Sequence, residues 1–296
     1  MDKEECDFNL GEAYGGGRNA EMDGDAVLEV GCIKGLGKAY GGAAEADVNG
    51  NVVLNITNGT YGQVFGGNDR GGEIRGSITV NIEETGCRPI IIGELYGGGN
   101  LAAYTAPTGI NSPVVNVKSF TSIGNIFGGG YGAAAKITGN PEVNIDVVKG
   151  RYNETAVIAE NSRVIGSTVK KPGDTGYSAT EGFEIPSHAA NTIGAIGTVY
   201  GGGNAAPVVG NTNINIGTQE YIPVTVAVGN PVKGYYTRSD SSPYTYTEVT
   251  DVSAVAASGT TYYKKVVGVD IREDVFGAGL GKTATVSGNT NVVIGR

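Results

Sequence analysis

The sequence predicts an all-β solenoid of about seven coils, and three observations carry that expectation. A short unit built on an aromatic residue and glycines recurs along the chain, glycine is heavily over-used, and the runs between turns alternate apolar and polar residues. The 51 glycines follow no Gly-X-Y period and 40% of residues are hydrophobic, which excludes collagen and simple disorder. A turn-rich chain of 296 residues can bury a sizeable core.

Seven copies of the unit line up on their aromatics: Tyr14, Tyr40, Phe65, Tyr96, Phe127, Tyr200 and Phe276. Each follows an aliphatic residue or alanine and precedes Gly-Gly or Gly-Ala, and the intervals are 26, 25, 31, 31, 73 and 76 residues. Downstream comes a turn glycine, at Gly24, Gly50, Gly76, Gly139, Gly210 and Gly288, with an aliphatic residue six positions on: Val30, Ile56, Ile82, Ile145, Ile216 and Ile294. Two residues before the turn glycine stands another aliphatic, at Val48, Ile74, Ile137, Val208 and Val286; the fourth copy is looser. Each copy thus offers three short strand signals, the third alternating cleanly as in SITVNI and TNINI. One coil cannot cover its own inward face, whereas stacked coils continue the sheets about 4.8 Å apart around a common core. The period suits a three-sided coil and is short for a propeller blade, which is typically about 40 residues. Val64, Leu95, Ile126 and Val199 are expected to form one inward ladder, and Ile56, Ile82 and Ile145 another.

The long intervals place the extra residues at one corner, between the third strand of a coil and the first of the next. Insertions 146–194 and 217–272 are therefore expected on one edge of a single domain spanning 1–296, where repeat proteins often bind. The second contains GYYTRSDSSPYTYTEVT and GTTYYKKVV, alternating runs that concentrate tyrosine and read as a small β module. Its Tyr235, Tyr236, Tyr244 and Tyr246 are candidate ligand contacts.

VYGGGNAAPVVGNTNINIGT and VFGAGLGKTATVSGNTNVVIGR resemble right-handed parallel β-helix segments of very large repetitive surface or secreted proteins of gut bacteria, with adhesin-type architecture. The resemblance implies a right-handed parallel β-helix, a segment of a longer exported protein, an extracellular or cell-surface location, and glycan or host or bacterial surface-protein partners. It transfers no catalytic residue. The alternative is a carbohydrate-active β-helix enzyme, a polysaccharide lyase or hydrolase, which would need acids and bases converging on one groove.

Candidate chemistry is sparse. His188 is the only histidine and has no metal-ligating companion; it reads as a surface-loop residue. Glu83 with Glu84 and Glu273 with Asp274 are sequence neighbours, so on a strand each pair points to opposite faces. Asp47, Asp69, Arg70, Glu73 and Arg75 read as a solvated charged edge. The glycine runs lack the Gly-Lys-Ser/Thr of a phosphate loop. No catalytic residue, metal site or cofactor is expected. A net charge of −9 argues against nucleic-acid binding, and no run of about 18 apolar residues offers a membrane span. The opening MDKEECDFNL lacks the regions of a signal peptide.

Cys6 and Cys32 each stand eight residues before an aromatic, in matching Cys-x-x-x-Leu-Gly-x-Ala-Tyr-Gly-Gly strings. They are expected to be vertical neighbours and candidate disulfide partners, leaving Cys87 unpaired. The aromatics admit two readings. If the strand stays regular, they share the outer face with Glu12, Lys38, Gln63, Glu94, Asn125, Thr198 and Asp274, and Tyr96, Phe127 and Tyr200 become a platform for a sugar face or partner side chain, with glycines keeping the surface clear. If the chain bends there, they turn inward and fill a corner.

Overall fold

The computed structural model describes residues 7–85, 88–148 and 155–295. Among them there is no helix, and the repeats build two long parallel sheets. The first has eight strands: Asn9–Tyr14, Gly35–Tyr40, Gly59–Phe65, Ile90–Tyr96, Ser122–Phe127 and Ala195–Tyr200, then Asp270–Ile271 and Val275–Phe276 end to end along the last of these. We call it the aromatic sheet. The second, the asparagine sheet, has seven: Ala26–Val30, Val52–Ile56, Ile78–Glu83, Val114–Ser119, Glu142–Ile145, Thr212–Ile216 and Thr290–Ile294. Between them runs a narrow parallel sheet of Tyr104–Thr105, Ile137–Thr138 and Val208–Val209, continued by single bridges from Met22 to Val48, Val48 to Ile74 and Val208 to Val286.

Repeat thus lies on repeat in the register that the sequence copies predict. Val64, Leu95, Ile126 and Val199 are paired in turn, as are Ile56 and Ile82, and all are fully buried. The two expected ladders form one apolar core with Val48, Ile74, Ile137 and Val208 from the narrow sheet. Burying each such side chain is worth about 1.5–3 kcal/mol. In the loose fourth copy Tyr104 fills the aliphatic position, its hydroxyl bonded to Ser112 Oγ (2.7 Å) and the Gly76 carbonyl (2.9 Å).

Two polar columns lock the stack. Asn81, Asn116, Asn144 and Asn215 each donate from Nδ2 to the asparagine one rung earlier, at 2.9–3.1 Å, and Asn55 donates to Glu29 at 3.3 Å. At the turns, the residue after the turn glycine does the same for backbone: Asp25, Asn51, Asn140 and Asn211 side chains accept from the N–H of Asn51, Ser77, Asn211 and Asn289. Gly139 and Gly210 turn with φ of +150° and +143°, a region open chiefly to glycine.

Both insertions leave the corner the intervals indicate and turn back along the stack. Within the first, Arg163–Ile165 pairs with Thr168–Lys170 and Phe183–Glu184, and Ile158, Val164 and Ile185 pack on Ile91 of the aromatic sheet. That approach depends on a further column of the repeat, a glycine three residues before the aromatic. A Cβ on Gly62 would lie 2.6 Å from the Gly166 carbonyl oxygen, and one on Gly93 would lie 2.7 Å from Phe183 Cβ. His188 belongs to this insertion and is buried, not on a surface loop. Its Nδ1 lies 3.1 Å from the Ala156 carbonyl oxygen and its Nε2 3.2 Å from that of Thr192, so whichever ring nitrogen carries the proton has a backbone carbonyl of the insertion to donate to.

The second insertion forms a four-stranded antiparallel sheet, ordered Tyr221–Val224, Tyr262–Lys265, Tyr236–Arg238, Tyr246–Glu248. It is clamped to the stack by a Val148–Val266 bridge, by Ile222 and Val224 packing on Val148, and by Thr225 N–H donating to Glu83 Oε1 at 2.9 Å.

Candidate binding surface

The aromatics obey the pleat and yet are not a platform. Their aliphatic neighbours enter the main core, while Tyr40, Phe65, Tyr96 and Phe127 form a separate cluster on the opposite side of the strand, each fully buried. Consecutive rings from Tyr14 to Phe276 are stacked at 4.7–5.2 Å between centroids and within 16° of parallel. Each inner ring therefore has both faces occupied by its neighbours. The chain after the glycines covers their edges, since the residue four beyond the aromatic folds back: Asn100 donates to Asp69 (2.7 Å) and to the Tyr40 hydroxyl (3.4 Å), Asn204 donates to the Tyr96 hydroxyl (3.1 Å), and Tyr131 meets Tyr96 edge-on. No sugar can stack on Tyr96 or Phe127, and Tyr200 has its two faces against Phe127 and Phe276.

The glycines after the aromatic serve the stack as well. A Cβ on Gly97 would lie 2.5 Å from the Gly128 carbonyl oxygen, so side chains are excluded there by the next rung's backbone. Asp69, read from sequence as part of a solvated edge, is buried among these groups, accepting from Tyr14 and Asn100 and paired with Arg70. Arg75 with Asp47 and Arg70 with Glu45 do form ion pairs at the surface.

Glu94 is also drawn into the ring column. Burial raises its carboxyl above the ordinary range, opposed by donation from Gln63 Nε2 (3.0 Å) and the Tyr96 hydroxyl (2.8 Å). Because the folded-state pKa exceeds the unfolded value, this group's contribution is intact below that value and is lost as pH rises through the folded one. Both donors bond to Oε2, so a Gln carbonyl would retain them. Glu94→Gln is therefore expected to melt above the parent at neutral pH, with the gap closing toward about pH 4.5, the ordinary carboxyl value. Melts across that range check it, and a constant gap would contradict the assignment.

In the second insertion Tyr244 and, in part, Tyr221, Tyr236 and Tyr246 present rings to solvent, whereas Tyr262 and Tyr263 are buried. Tyr221 stacks on Tyr246 at 4.2 Å and meets Tyr236 edge-on, Tyr246 meets Tyr263 edge-on, and the Arg238 guanidinium lies 4.2 Å over Tyr244 and 5.2 Å over Tyr263. Tyr244 is 52% exposed, and Tyr221, Tyr236 and Tyr246 are half-buried. Strand alternation puts Tyr235 on the other side of this sheet, against Tyr262 and under Lys264 (4.1 Å), so it does not belong to the patch. Tyr221 and Arg238 do belong, and Tyr263, which contacts Tyr246 and Arg238, is buried behind them; alternation along YYTR could have selected Tyr236 and Arg238 over Tyr235. Between this insertion and the asparagine column lies an open cleft of about 470 Å³, lined by Asn55, Asn81, Glu83, Lys118, Thr57 and Thr225. Lys118 pairs with Glu83 at 3.4 Å, and Glu84 turns the other way to accept from Ile90 N–H and Thr121, so the two carboxylates do not converge.

Among the described residues no group of three or more His, Cys, Asp or Glu is placed to hold a metal ion. Nor is any helix long and apolar enough to cross a membrane found among the described residues. Cys32 is disulfide-bonded. Cys6 and Cys87 lie outside the described residues, although the flanking strands pair Asn9 with Gly35 and Tyr14 with Tyr40, the register expected for Cys6 and Cys32.

The fold and surface define an all-β stack of parallel sheets that carries a tyrosine- and arginine-bearing antiparallel module. Compared with protein-family models, curated proteins and solved structures, the chain matches none.

Proposed function

We propose that this chain is a non-enzymatic β-solenoid module of a larger exported surface protein, a right-handed parallel β-helix whose second insertion binds glycan or protein partners. The observation that carries the binding role is the patch of Tyr221, Tyr236, Tyr244 and Tyr246 around Arg238 on a sheet clamped to a stiff scaffold. Tyrosine offers a large, stiff, amphipathic contact surface at low entropic cost, and the adjacent guanidinium and threonines supply hydrogen-bond donors to hydroxyl-rich ligands. The repeat-on-repeat register supports the solenoid, and the disulfide at Cys32 fits an oxidising, extracellular setting.

A panel of immobilised surface glycans and surface proteins tests the reading. Tyr244→Ala with Tyr246→Ala is expected to lower retention at least tenfold, with the far-UV circular dichroism unchanged and only a small drop in the thermal melt from the lost Tyr221–Tyr246 stacking. Equal retention by parent and variant would remove the patch as the binding surface. Release of unsaturated or reducing sugar ends from the same glycans would favour the lyase or hydrolase reading instead.

A further inference from the structure

The narrow sheet is broken at one step, in the middle of the stack. Successive copies are joined there from Met22 to Val48, Val48 to Ile74, Tyr104 to Ile137, Ile137 to Val208 and Val208 to Val286, but among the described residues no bridge joins Ile74 to Tyr104. The joined steps show which bonds are missing. Val48 donates its N–H to the Glu73 carbonyl (2.8 Å) and accepts from the Arg75 N–H (3.0 Å), Tyr104 N–H goes to the Lys136 carbonyl (2.9 Å), and Ile137 N–H goes to that of Pro207 (3.0 Å). By the same rule Ile74 N–H would meet the Ala103 carbonyl and Thr105 N–H the Ile74 carbonyl, and neither bond is made. Two donors and two acceptors are left without a rung, although Ile74 is only 5% exposed. Main-chain groups at such depth are nearly always paired.

The opening is part of the fold's construction. It is closed at both ends, by Asn100 N–H on the Asn68 carbonyl (2.9 Å) and by Ile78 N–H on Ser112 Oγ (2.9 Å). The fourth copy also carries extra residues at this place and no other copy does. Six positions separate the narrow-sheet residue from the next buried position of the asparagine sheet elsewhere, as from Ile74 to Val80 and Ile137 to Val143, but eleven separate Tyr104 from Val115. The added stretch supplies a wall: Ala106, Pro107 and Thr108 line, with Glu73, Ile74 and Arg75, a cleft of about 510 Å³. That volume is in the range of ligand sites. Its charged residues, Glu73 and Arg75, pair with each other at 3.6 Å, so the cleft offers main chain rather than net charge.

We propose that this slot binds a short extended peptide segment of a partner protein, seated as an additional rung. At the joined steps of the sheet the equivalent groups are met by a parallel strand, so the complement of the free ones is a strand too. One residue of the peptide presents N–H and C=O to Ala103 and Thr105, while its two neighbours present C=O and N–H to Ile74. Binding of this kind takes its affinity from main chain and tolerates many side chains.

The probe is a synthetic peptide copying residues 134–140, the stretch that pairs with the other edge of Tyr104 and Thr105. It is added to the whole chain, and amide hydrogen exchange is followed residue by residue by NMR. In the free chain Ile74 and Thr105 are expected to exchange about a hundredfold faster than Tyr104 and Ile137. Saturating peptide is expected to slow both about tenfold, and the same peptide N-methylated at its isoleucine to leave them unchanged. Ala103→Trp, at an exposed position, is expected to abolish that protection while the remaining amides keep their parental rates, which shows that the variant is folded. Tyr244→Ala with Tyr246→Ala is expected to leave it intact, so this site and the tyrosine patch stand or fall separately. Ile74 and Thr105 amides already protected in the free chain overturn the proposal. So does a peptide that protects neither, equal protection by its N-methylated form, or protection by a neutral oligosaccharide in place of the peptide.

Discussion

Ile82→Asp is expected to leave the chain unfolded. Ile82 is fully buried in the middle of the asparagine sheet, paired with Ile56 on one side and Val117 on the other. The substitution forfeits about 1.5–3 kcal/mol of apolar burial. It also places an unpaired carboxylate in the core, which costs several kcal/mol even after relaxation. Against a typical total of about 5–15 kcal/mol, that is decisive. Far-UV circular dichroism and a thermal melt check it, with Ile82→Val, expected to cost only about 0.5–1.5 kcal/mol, as the control for register. A parent-like melt for the Asp variant would show that Ile82 does not point inward.

Phe127→Ala and Tyr96→Ala are expected to cost about 3–5 kcal/mol each, the range for emptying a buried aromatic site. Each removal breaks the column in two and uncovers a face of both neighbouring rings, so the loss includes two stacking contacts of about 0.5–1.5 kcal/mol. Tyr96→Phe isolates the hydroxyl, which bonds Glu94 and Asn204, and should cost far less than the alanine change. Denaturant melts of the three variants give the order. Alanine variants that keep parental stability but lose glycan retention would restore the exposed-platform reading.

What the sequence made legible was whatever repeats. The strand positions, both inward ladders and the corner from which the insertions leave follow from apolar residues recurring at fixed offsets from an aromatic and a glycine. The burial of the rings was not legible, because alternation gives a side of the strand and says nothing of what covers that side. The cover comes from Asp69, Asn100, Tyr131 and Asn204, which share a position and little chemistry. The burial of His188 escapes the sequence for a related reason. Its partners are backbone carbonyls within a non-repeating segment, and no side-chain pattern announces them. The tyrosine module was visible as composition, but its division into a patch with Arg238 and a separate Tyr235 depends on which strands pair, a matter of turn geometry in the insertion.

The asparagine column gives the molecule an electrical direction. Every side-chain amide in it donates the same way, from Asn215 through Asn144, Asn116 and Asn81 to Asn55, so their dipoles add rather than cancel. The sum resembles a helix macrodipole built outside the backbone, with its positive pole where Asn55 points its N–H outward. Glu29 sits at that pole and accepts the last hydrogen bond, a carboxylate placed as acidic residues are at helix N-termini. Each polarised amide strengthens the next, so Glu29→Gln would weaken the column along its length rather than at one rung.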